Sequence, residues 1–205
     1  MADLDNVELR PLGGAELEVA ARLAARGMRD NPLQIAAIGG DPQRRQRLMH
    51  RGFCRLLRLD GRATVGAWHG DSLVGVACSA EPGHCQLSPR ERLRLAPTFL
   101  MAGRAALRMA RWVSAWARYD PARSHSHLGP VAVDPDLQGR GIGSMLLADY
   151  CDSMDQTGML SYLETDKPEN VRLYERFGYT VAAEADVIGI ASWFMTREPT
   201  QRTGR

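Results

Sequence analysis

The sequence lacks the features of disulfide-rich, zinc-binding and membrane-spanning proteins. Its four cysteines form no Cys-x-x-Cys pair and have no histidine at a zinc-ligand spacing, so we expect neither a disulfide framework nor a zinc site. No run approaches about 18 consecutive apolar residues. The first five residues include two aspartates and no basic side chain, whereas a signal peptide begins with basic charge. These absences together predict a cytoplasmic protein.

A large excess of either charge is also missing. The 26 basic and 24 acidic residues leave a net charge of only +2, and we therefore expect no nucleic-acid partner and no membrane partner. A chain of 205 residues is long enough for one α/β domain with a full hydrophobic core, and short for two. We expect that single domain over residues 1–199, followed by a flexible tail over residues 200–205.

The common phosphate-binding motifs are absent as well, since the chain has neither G-x-G-x-x-G nor G-x-x-x-x-G-K-[ST]. It does contain a short apolar run over 128–133, a turn over 134–136, a glycine-rich stretch over 138–143 and, from Ser144, apolar residues at helical spacing. A strand, a glycine-rich turn and a helix start build an anion cradle in that order, because the first N–H groups of a helix have no partner within it. A simple tight turn is the alternative interpretation.

Three stretches carry a family resemblance. The pattern Val131-x-Val133-x-Pro135-x-x-Gln138-Gly139-x-Gly141-x-Gly143 resembles the acetyl-CoA-binding motif of GNAT-type N-acetyltransferases, whose core is Q/R-x-x-G-x-G/A. Residues 160–179, with an N-x-x-x-Y motif before Gly-Tyr, resemble the second half of the GNAT fold. Residues 192–199 are similar to the last strand of a subgroup that includes puromycin N-acetyltransferase. Before residue 120 the resemblance lies only in the order of elements.

The resemblance implies an α/β fold of the GNAT type, with a central twisted mixed sheet of about six to seven strands flanked by helices. It also implies acetyl-CoA as cosubstrate, with no metal. The pantetheine arm would bond the backbone of Val131 and Val133, a backbone N–H near Ala132 would hold the oxyanion, and the pyrophosphate would sit on the glycine-rich stretch. The residues implied in cofactor binding are Val131, Ala132, Val133, Gln138, Gly139, Arg140, Gly141, Ile142, Gly143, Ser144, Asn170 and Tyr174.

Two proton transfers accompany acetylation of an amine, and each has a candidate residue. Tyr174 lies four residues after Asn170 on a predicted helix and matches the family's proposed general acid for the leaving thiolate; the alternative is that it packs the helix on the sheet. Glu164, at the end of the strand 160–165, is the candidate base. Its alternative role is a cap or an ion pair with Arg172 or Lys167.

Two histidines alternate onto one face of the central strand. His125 or His127 lines the acceptor side in one interpretation, and both are structural or solvent-exposed in the other. As a metal pair they have no third ligand in the sequence pattern. Pro130 lies in the middle of this strand, where a proline cannot donate to a sheet ladder. We therefore expect the strand to part from a neighbour there, as the strands of GNAT folds do around the pantetheine arm.

The N-terminal part reads as a strand over 7–12, a helix over 15–28, a loop marked by Asn31-Pro32 and Gly39-Gly40, and a helix over 41–59 capped by Asp41. A hairpin turning at Gly70-Asp71 follows, in which Gly66 and Gly75 indicate bulges or close approach. Residues 88–118 predict a long arginine-rich helical segment broken at Pro97. Its apolar side holds Leu100, Met101, Leu107, Met109, Trp112 and Trp116. This segment is a lid or homodimer surface, or an ordinary helix with a solvated basic face.

Three functions remain open from the sequence. The first is an acetyl-CoA-dependent N-acetyltransferase that transfers an acetyl group directly to a primary amine of a small molecule. The second is a protein or peptide N-acetyltransferase, against which a lid argues. The third is a non-catalytic acyl-CoA-binding sensor. The identity of the amine, the acyl-chain preference and the oligomeric state do not follow from the sequence.

Overall fold

The structure is a computed structural model that describes residues 6–200, and the structural statements below concern those residues. One mixed sheet of seven strands runs through it in the order β1-β2-β3-β4-β5-β7-β6. Every neighbouring pair is antiparallel except β4 and β5, which are parallel. The strands are β1 (Val7–Pro11), β2 (Arg62–His69), β3 (Ser72–Ala80), β4 (His125–Val133), β5 (Leu160–Thr165), β6 (Thr180–Val187) and β7 (Ile190–Arg197).

Seven α-helices cover the two faces of this sheet. They are α1 (Glu16–Gly27), α2 (Pro32–Ile38), α3 (Pro42–Leu56), α4 (Pro89–Ala102), α5 (Ala105–Trp116), α6 (Ile142–Thr157) and α7 (Pro168–Glu175). Leu146, Leu163 and Tyr174 belong to the core between the sheet and α6 and α7. On the opposite face, Leu23 of α1 packs with Val76, and Leu33 of α2 packs with Tyr162. The mixed α/β sheet predicted from the sequence is confirmed.

Local signals explain several element boundaries. Asp41 accepts hydrogen bonds from the backbone N–H groups of Gln43 and Arg44, as predicted for the cap of α3. The β2–β3 hairpin turns at Gly70 and Asp71 as predicted. A Cβ on Gly75 would lie 2.8 Å from Ile142 Cγ2, so this glycine lets the first turn of α6 approach the sheet closely.

The segment 31–40, predicted as a loop, contains the short helix α2 instead. Pro32 stands at its first position, where a proline costs no hydrogen bond. The Leu33 N–H donates to Asp166 Oδ2 at 2.7 Å, which satisfies an N–H group that the helix itself leaves unpaired. This partner lies 133 residues away in sequence, and the local pattern therefore did not reveal it.

The arginine-rich segment 88–118 is helical as predicted, but it forms two helices. The break falls at Gly103, at a positive φ of 57°, whereas Pro97 lies inside α4. The predicted apolar side is also wrong in part, because Leu100 is 81% exposed and Leu107 is 61% exposed. The residues of α4 and α5 that do face the protein include Leu95, Ala102 and Ala105.

The predicted flexible tail lies outside the described residues except for Thr200. The Thr200 N–H donates to Asp155 Oδ1 at 2.7 Å, and Arg197 pairs with the same carboxylate. Within the described part of the chain, no helix is long and apolar enough to cross a membrane.

Candidate active site

A V-shaped cleft opens between the two parallel central strands. His125, Ser126 and His127 of β4 pair with Leu160, Ser161 and Tyr162 of β5, and the pairing then ends although both strands continue. On its other edge β4 shifts register against β3 between Leu128 and Val131. Pro130 lies in that irregularity, where its missing N–H removes no regular ladder bond. The predicted separation of the strands near Pro130 is confirmed.

A buried hydroxyl network holds the two strands together where the cleft begins. The Tyr150 hydroxyl donates to Ser126 Oγ at 2.9 Å and accepts from Ser161 Oγ at 3.1 Å. Ser161 also contacts the Tyr179 hydroxyl. Ser126 and Ser161 are register partners on β4 and β5. The network therefore ties α6 and both strands at the closed end of the V.

The open edge of β4 presents backbone groups to the cleft. The Asp134 N–H donates to Val74 O of β3 at 2.9 Å. Because successive residues of a strand alternate in direction, the backbone groups of Ala132 also face β3, and those of Val131 and Val133 point away from β3. The Val133 carbonyl on that side accepts a hydrogen bond from Gln138 Nε2. The pantetheine-binding roles of Val131 and Val133 stay a prediction. The N–H of Ala132 faces the ladder with β3, so a ligand in the cleft would reach its neighbours' N–H groups instead.

The glycine-rich stretch forms the predicted turn into a helix. Gly139 and Gly141 have φ values of 77° and 90°, a region that glycine enters without penalty. Helix α6 begins at Ile142, two residues earlier than the predicted start, because the Ile142 side chain is buried and anchors the first turn. The first backbone bond of this helix runs from Met145 N to Gly141 O. The N–H groups of Ile142, Gly143 and Ser144 precede that bond, so they are available to donate hydrogen bonds to a bound anion.

The C-terminal end of α1 packs against the end of β4, beside the cleft. Gln138 Nε2 donates to Val133 O at 3.3 Å and to Gly27 O at 3.5 Å, so its side chain bridges β4 and α1. Arg26 of α1 pairs with Asp134 in the turn after β4. Gly27 lies so near that a Cβ there would be 2.6 Å from Val133 O. Gln138 therefore helps to position the edge of the cleft as well as lying in the predicted cofactor stretch.

Tyr174 lies on α7, the helix that follows β5. Its ring is buried in the core beside Tyr179, and its hydroxyl has no hydrogen-bond partner among residues 6–200. Burial, together with the charges of Asp166 and Glu164, raises the pKa of Tyr174 to about 12. Asn170, one turn earlier, donates to Thr165 Oγ1 at 3.3 Å at the end of β5. Tyr174 thus packs α7 on the sheet, while its hydroxyl proton is not used in a hydrogen bond within the described residues. A packing role and a role as general acid are therefore compatible.

Glu164 makes its ion pair with His127 rather than with Lys167 or Arg172. Glu164 Oε2 lies 2.7 Å from His127 Nε2, and the Glu164 side chain is only 4% exposed. Burial alone would lower the pKa of His127, but the charge and hydrogen bond of Glu164 and the charge of Asp120 outweigh it and raise that pKa above its usual value. The carboxylate and imidazole form one coupled unit.

Asp120 is a functional candidate that sequence reasoning missed. It follows α5, its side chain is 7% exposed, and its Oδ1 lies 4.0 Å from His127 Nδ1. Burial raises the pKa of the Asp120 carboxyl; His127 opposes this effect and Glu164 adds to it. In the sequence Asp120 precedes Pro121 and signals only the end of a helix.

The two histidines of β4 have different surroundings. His125 Nδ1 pairs with Arg123 O at 2.8 Å, and the His125 ring packs edge-on against Tyr162. Only His127 contacts carboxylates. His125 therefore fits the structural alternative and His127 fits the acceptor-side alternative.

Among residues 6–200, two groups of side chains have donor atoms close enough to hold a metal ion. Ligand atoms of Asp120, His127 and Glu164 lie within 4.8 Å of one another, as do those of Glu18, His50 and Cys54. Cys54 Sγ is 3.3 Å from His50 Nε2, one helical turn away, a His-x-x-x-Cys spacing that sequence reasoning did not single out. In the first group the carboxylates face opposite nitrogens of one imidazole, which suits proton exchange better than shared ligation.

Comparison with known proteins agrees with this geometry. A family model described as the acetyltransferase (GNAT) family matches residues 33–179. A 75-residue segment is 37% identical to mycothiol acetyltransferase of Acidimicrobium ferrooxidans, over 34% of this chain and 24% of that protein. The chain therefore matches about a quarter of the length of this curated relative.

Solved structures share the whole fold. A histone acetyltransferase HPA2 and related acetyltransferase from Corynebacterium glutamicum superposes with a TM-score of 0.72 at 19% identity, over 97% of this chain and 99% of that one. Arylalkylamine N-acetyltransferase 2 from Aedes aegypti gives 0.61 at 14% identity, over 96% and 100%. PaiA N-acetyltransferase from Thermoplasma acidophilum, in complex with coenzyme A, gives 0.59 at 13% identity, over 94% and 99%.

The fold and the family model together define the class. The chain belongs to the GNAT acetyltransferase family, whose members use acetyl-CoA as cosubstrate. The GNAT family predicted from the sequence is confirmed, whereas the puromycin N-acetyltransferase subgroup stays a prediction.

Proposed function

We propose that this protein is an N-acetyltransferase that transfers the acetyl group of acetyl-CoA directly to a primary amine of a small molecule. The observation that carries the proposal is the meeting of three features at one cleft: a splayed β4 edge, a glycine-rich helix start, and the buried Glu164–His127 pair. A sheet edge can bind an amide-containing arm, the helix start can bind a pyrophosphate, and the buried pair can accept a proton.

Acetyl-CoA would lie along the open edge of β4. The pantetheine amides bond the backbone groups of Val131 and Val133, and the pyrophosphate receives N–H groups from residues 139–144, with Arg140 adding positive charge. A cleft-facing N–H of Val131 or Val133 donates to the acetyl carbonyl as it becomes an oxyanion. Asn170 supports the end of β5 beside the same cleft.

The base is the Glu164–His127 unit. A protonated amine has no lone pair for attack, so one proton must leave before the nitrogen reaches the thioester carbon. Glu164 is buried and hydrogen-bonded to His127, and the pair accepts this proton as one titrating system. The sequence predicted Glu164 alone as the base, and the proposal adds His127 to it.

Tyr174 donates to the leaving thiolate. Its pKa of about 12 lies above the ordinary thiol value of about 8.5, so its proton stays in place until the carbon–sulfur bond breaks. The same burial that raises the pKa of Tyr174 also raises that of a thiolate released beside it. The hydroxyl stabilises the departing sulfur by a hydrogen bond and supplies its proton.

The small-molecule acceptor is supported by the resemblance of residues 160–165 and 192–199 to a subgroup that includes puromycin N-acetyltransferase. A second support is Asp120, which follows α5 and brings the end of that segment to 4.0 Å from His127 Nδ1. The match to mycothiol acetyltransferase covers too little of that protein to carry its substrate to this chain.

The proposal is tested by thiol release from acetyl-CoA with polyamines, alkylamines, aminonucleosides, aminoglycosides and lysine peptides as acceptors. We expect turnover with a small amine, and a loss of about 100-fold in kcat for Tyr174→Phe. Tyr119→Phe is the matched control, since it removes a hydroxyl from a partly exposed ring. Turnover confined to lysine peptides would favour a protein acetyltransferase. Acetyl-CoA binding without turnover on any acceptor would replace the catalytic proposal with an acyl-CoA sensor.

A further inference from the structure

His127 lies between two buried carboxylates and uses only one of its ring nitrogens. Its Nε2 atom is hydrogen-bonded to Glu164 Oε2 at 2.7 Å. Because an ionised carboxylate only accepts hydrogen bonds, the Nε2 atom carries a hydrogen in this pair. In the neutral ring Nδ1 then carries a lone pair. This Nδ1 is buried and has no hydrogen-bond partner among the described residues.

The distance between His127 Nδ1 and Asp120 Oδ1 suits a shared ligand. At 4.0 Å the two atoms are too far apart for a direct hydrogen bond. One nitrogen placed about 2.8 Å from both would subtend an angle of about 90° between them. That angle is somewhat narrower than the one between two hydrogens of an ammonium group, and a small rotation of either side chain would close the difference. Both protein atoms are acceptors, so the ligand atom must carry at least two hydrogens, as an ammonium nitrogen or a water oxygen does. The two neighbouring carboxylates favour the cation over water.

We propose that the acceptor binds as a primary alkylammonium, with its nitrogen hydrogen-bonded to both Asp120 Oδ1 and His127 Nδ1. This extends the acetyltransferase proposed above and rests on it for the chemical step. Within it Glu164 is a positioning residue that sets the imidazole tautomer, and His127 is the group that takes the proton. Asp120 holds the ammonium and determines the acceptor's affinity.

The proton and bond changes balance without any further reactant. The ammonium gives one proton to His127 Nδ1, and the freed lone pair forms the new carbon–nitrogen bond to the thioester carbon. The carbon–sulfur bond breaks, and Tyr174 donates a proton to the sulfur. The new amide nitrogen loses its second proton, which restores Tyr174 through water, and His127 releases its own proton to solvent. One ammonium and one acetyl-CoA thus yield one amide, one CoA thiol and one proton.

This arrangement selects a chemical class of acceptor. Alkylamines, with a pKa near that of lysine at about 10.4, are cationic at neutral pH and complement two carboxylates. Arylamines are neutral there and lack that attraction. An α-carboxylate on the acceptor would place a third negative group beside Asp120 and Glu164. The expected acceptor is therefore an alkylamine without a carboxylate next to the reacting nitrogen.

The charged and titratable groups that surround His127 come from several elements. They are Asp120, Glu164, Tyr162, His125, Arg62 and Cys85. Arg62 donates to His84 O at 3.1 Å and belongs to β2. The two carboxylates of this set face the ring nitrogens, and the Tyr162 ring packs edge-on against the imidazole.

Asp120→Asn is the direct test, with Asp71→Asn in the exposed β2–β3 turn as the matched control. The probes are 2-phenylethylamine, which is cationic, and 4-methoxyaniline, which is neutral at pH 7.5. We expect Asp120→Asn to raise KM for 2-phenylethylamine by about tenfold or more, to change kcat less, and to leave the KM for 4-methoxyaniline and the acetyl-CoA affinity alone. Equal effects on both amines, or no effect on either, would overturn the inference.

A second measurement does not depend on turnover. The ¹⁵N chemical shifts of the His127 ring are followed while 2-phenylethylammonium is added to the protein. We expect Nδ1 to shift in a saturable way in the wild type and in Asp71→Asn, and the effect to be lost in Asp120→Asn. If Nδ1 shifts but no amine is acetylated, the proposed enzyme fails and the ammonium site stands. If amines are acetylated and Nδ1 does not respond, the enzyme stands and the ammonium site fails.

A divalent cation is the competing occupant of the same three side chains. Zinc added in the same experiment distinguishes the two. Stoichiometric zinc that saturates the His127 signals, with no response to 2-phenylethylammonium, would overturn the inference in favour of a metal site.

Discussion

Replacing Gly27 with alanine tests whether the end of α1 positions the cofactor cleft. A Cβ at this position would lie 2.6 Å from Val133 O and 3.2 Å from Ala132 Cβ. Ordinary contacts between such atoms begin at about 3.5 Å, so the new methyl group lacks about 0.9 Å of space toward a backbone oxygen. Either α1 moves outward or the end of β4 moves into the cleft.

The energetic effect has two opposing parts. Overpacking costs about 1–3 kcal/mol, and the alanine gains back up to about 1 kcal/mol of helix propensity in the last turn of α1. We expect Gly27→Ala to lower the free energy of unfolding by about 1–2 kcal/mol. Because the Val133 carbonyl belongs to the proposed pantetheine-binding edge, we also expect the Kd for coenzyme A to rise about tenfold.

Urea unfolding and calorimetric titration with coenzyme A measure the two effects separately. Gly13→Ala is the control, since a Cβ there would have nothing within 4 Å and the backbone needs no positive φ. If Gly27→Ala matches the wild type in both assays, or binds coenzyme A normally despite lower stability, then α1 does not set the position of the β4 edge.

Three further predictions concern His127 and the hydroxyl network between β4 and β5. The rate kcat/KM should rise with pH through an inflection above about 6.5, because Glu164 and Asp120 raise the pKa of His127 and a base must be unprotonated; an inflection below that value would contradict the pairing. The same raised pKa implies that protonated His127 stabilises the fold fully below the unfolded pKa, and that this contribution is lost as pH rises through the folded pKa. Ser161→Ala should lower the free energy of unfolding by about 1–3 kcal/mol, because the buried Tyr179 hydroxyl loses its contact with Ser161 and Tyr150 loses the hydrogen bond that it accepts; a change below about 0.5 kcal/mol in urea unfolding would refute a structural role for the network.

The sequence predicted the elements whose signals are local. The β2–β3 hairpin, the cap of α3 and the strand–turn–helix around Gly139 and Gly141 all depend on neighbours within a few residues. Pro130 was informative for the same reason, since its chemistry excludes a regular ladder bond wherever it lies.

The features that escaped prediction depend on distant partners. Helix α2 is anchored at Leu33 N by Asp166, and no local pattern joins the two. The break at Gly103 rather than Pro97 shows that α4 tolerates a proline within it, while glycine adopts the positive φ at the turn.

The candidate site divides along the same line. The cofactor edge is continuous in sequence from Val131 to Ser144, so its motif predicted it. The acceptor side joins Asp120, His127 and Glu164 from three separate segments. The parallel β4–β5 register brings Glu164 to His127, and Asp120 reaches His127 from the turn after α5. Glu164 was chosen from its place at a strand end, whereas its partner His127 and the role of Asp120 required the fold.

Product identification by mass spectrometry tests the central claim most directly. The protein is incubated with acetyl-CoA and 2-phenylethylamine, and the masses of the amine, coenzyme A and the protein are then measured. We predict that the amine gains one acetyl group as an N-linked amide, in a one-to-one ratio with released coenzyme A, and that the protein mass is unchanged. Release of coenzyme A with free acetate and unmodified amine, or an acetyl group left on the protein, would contradict direct transfer to an amine in this cleft.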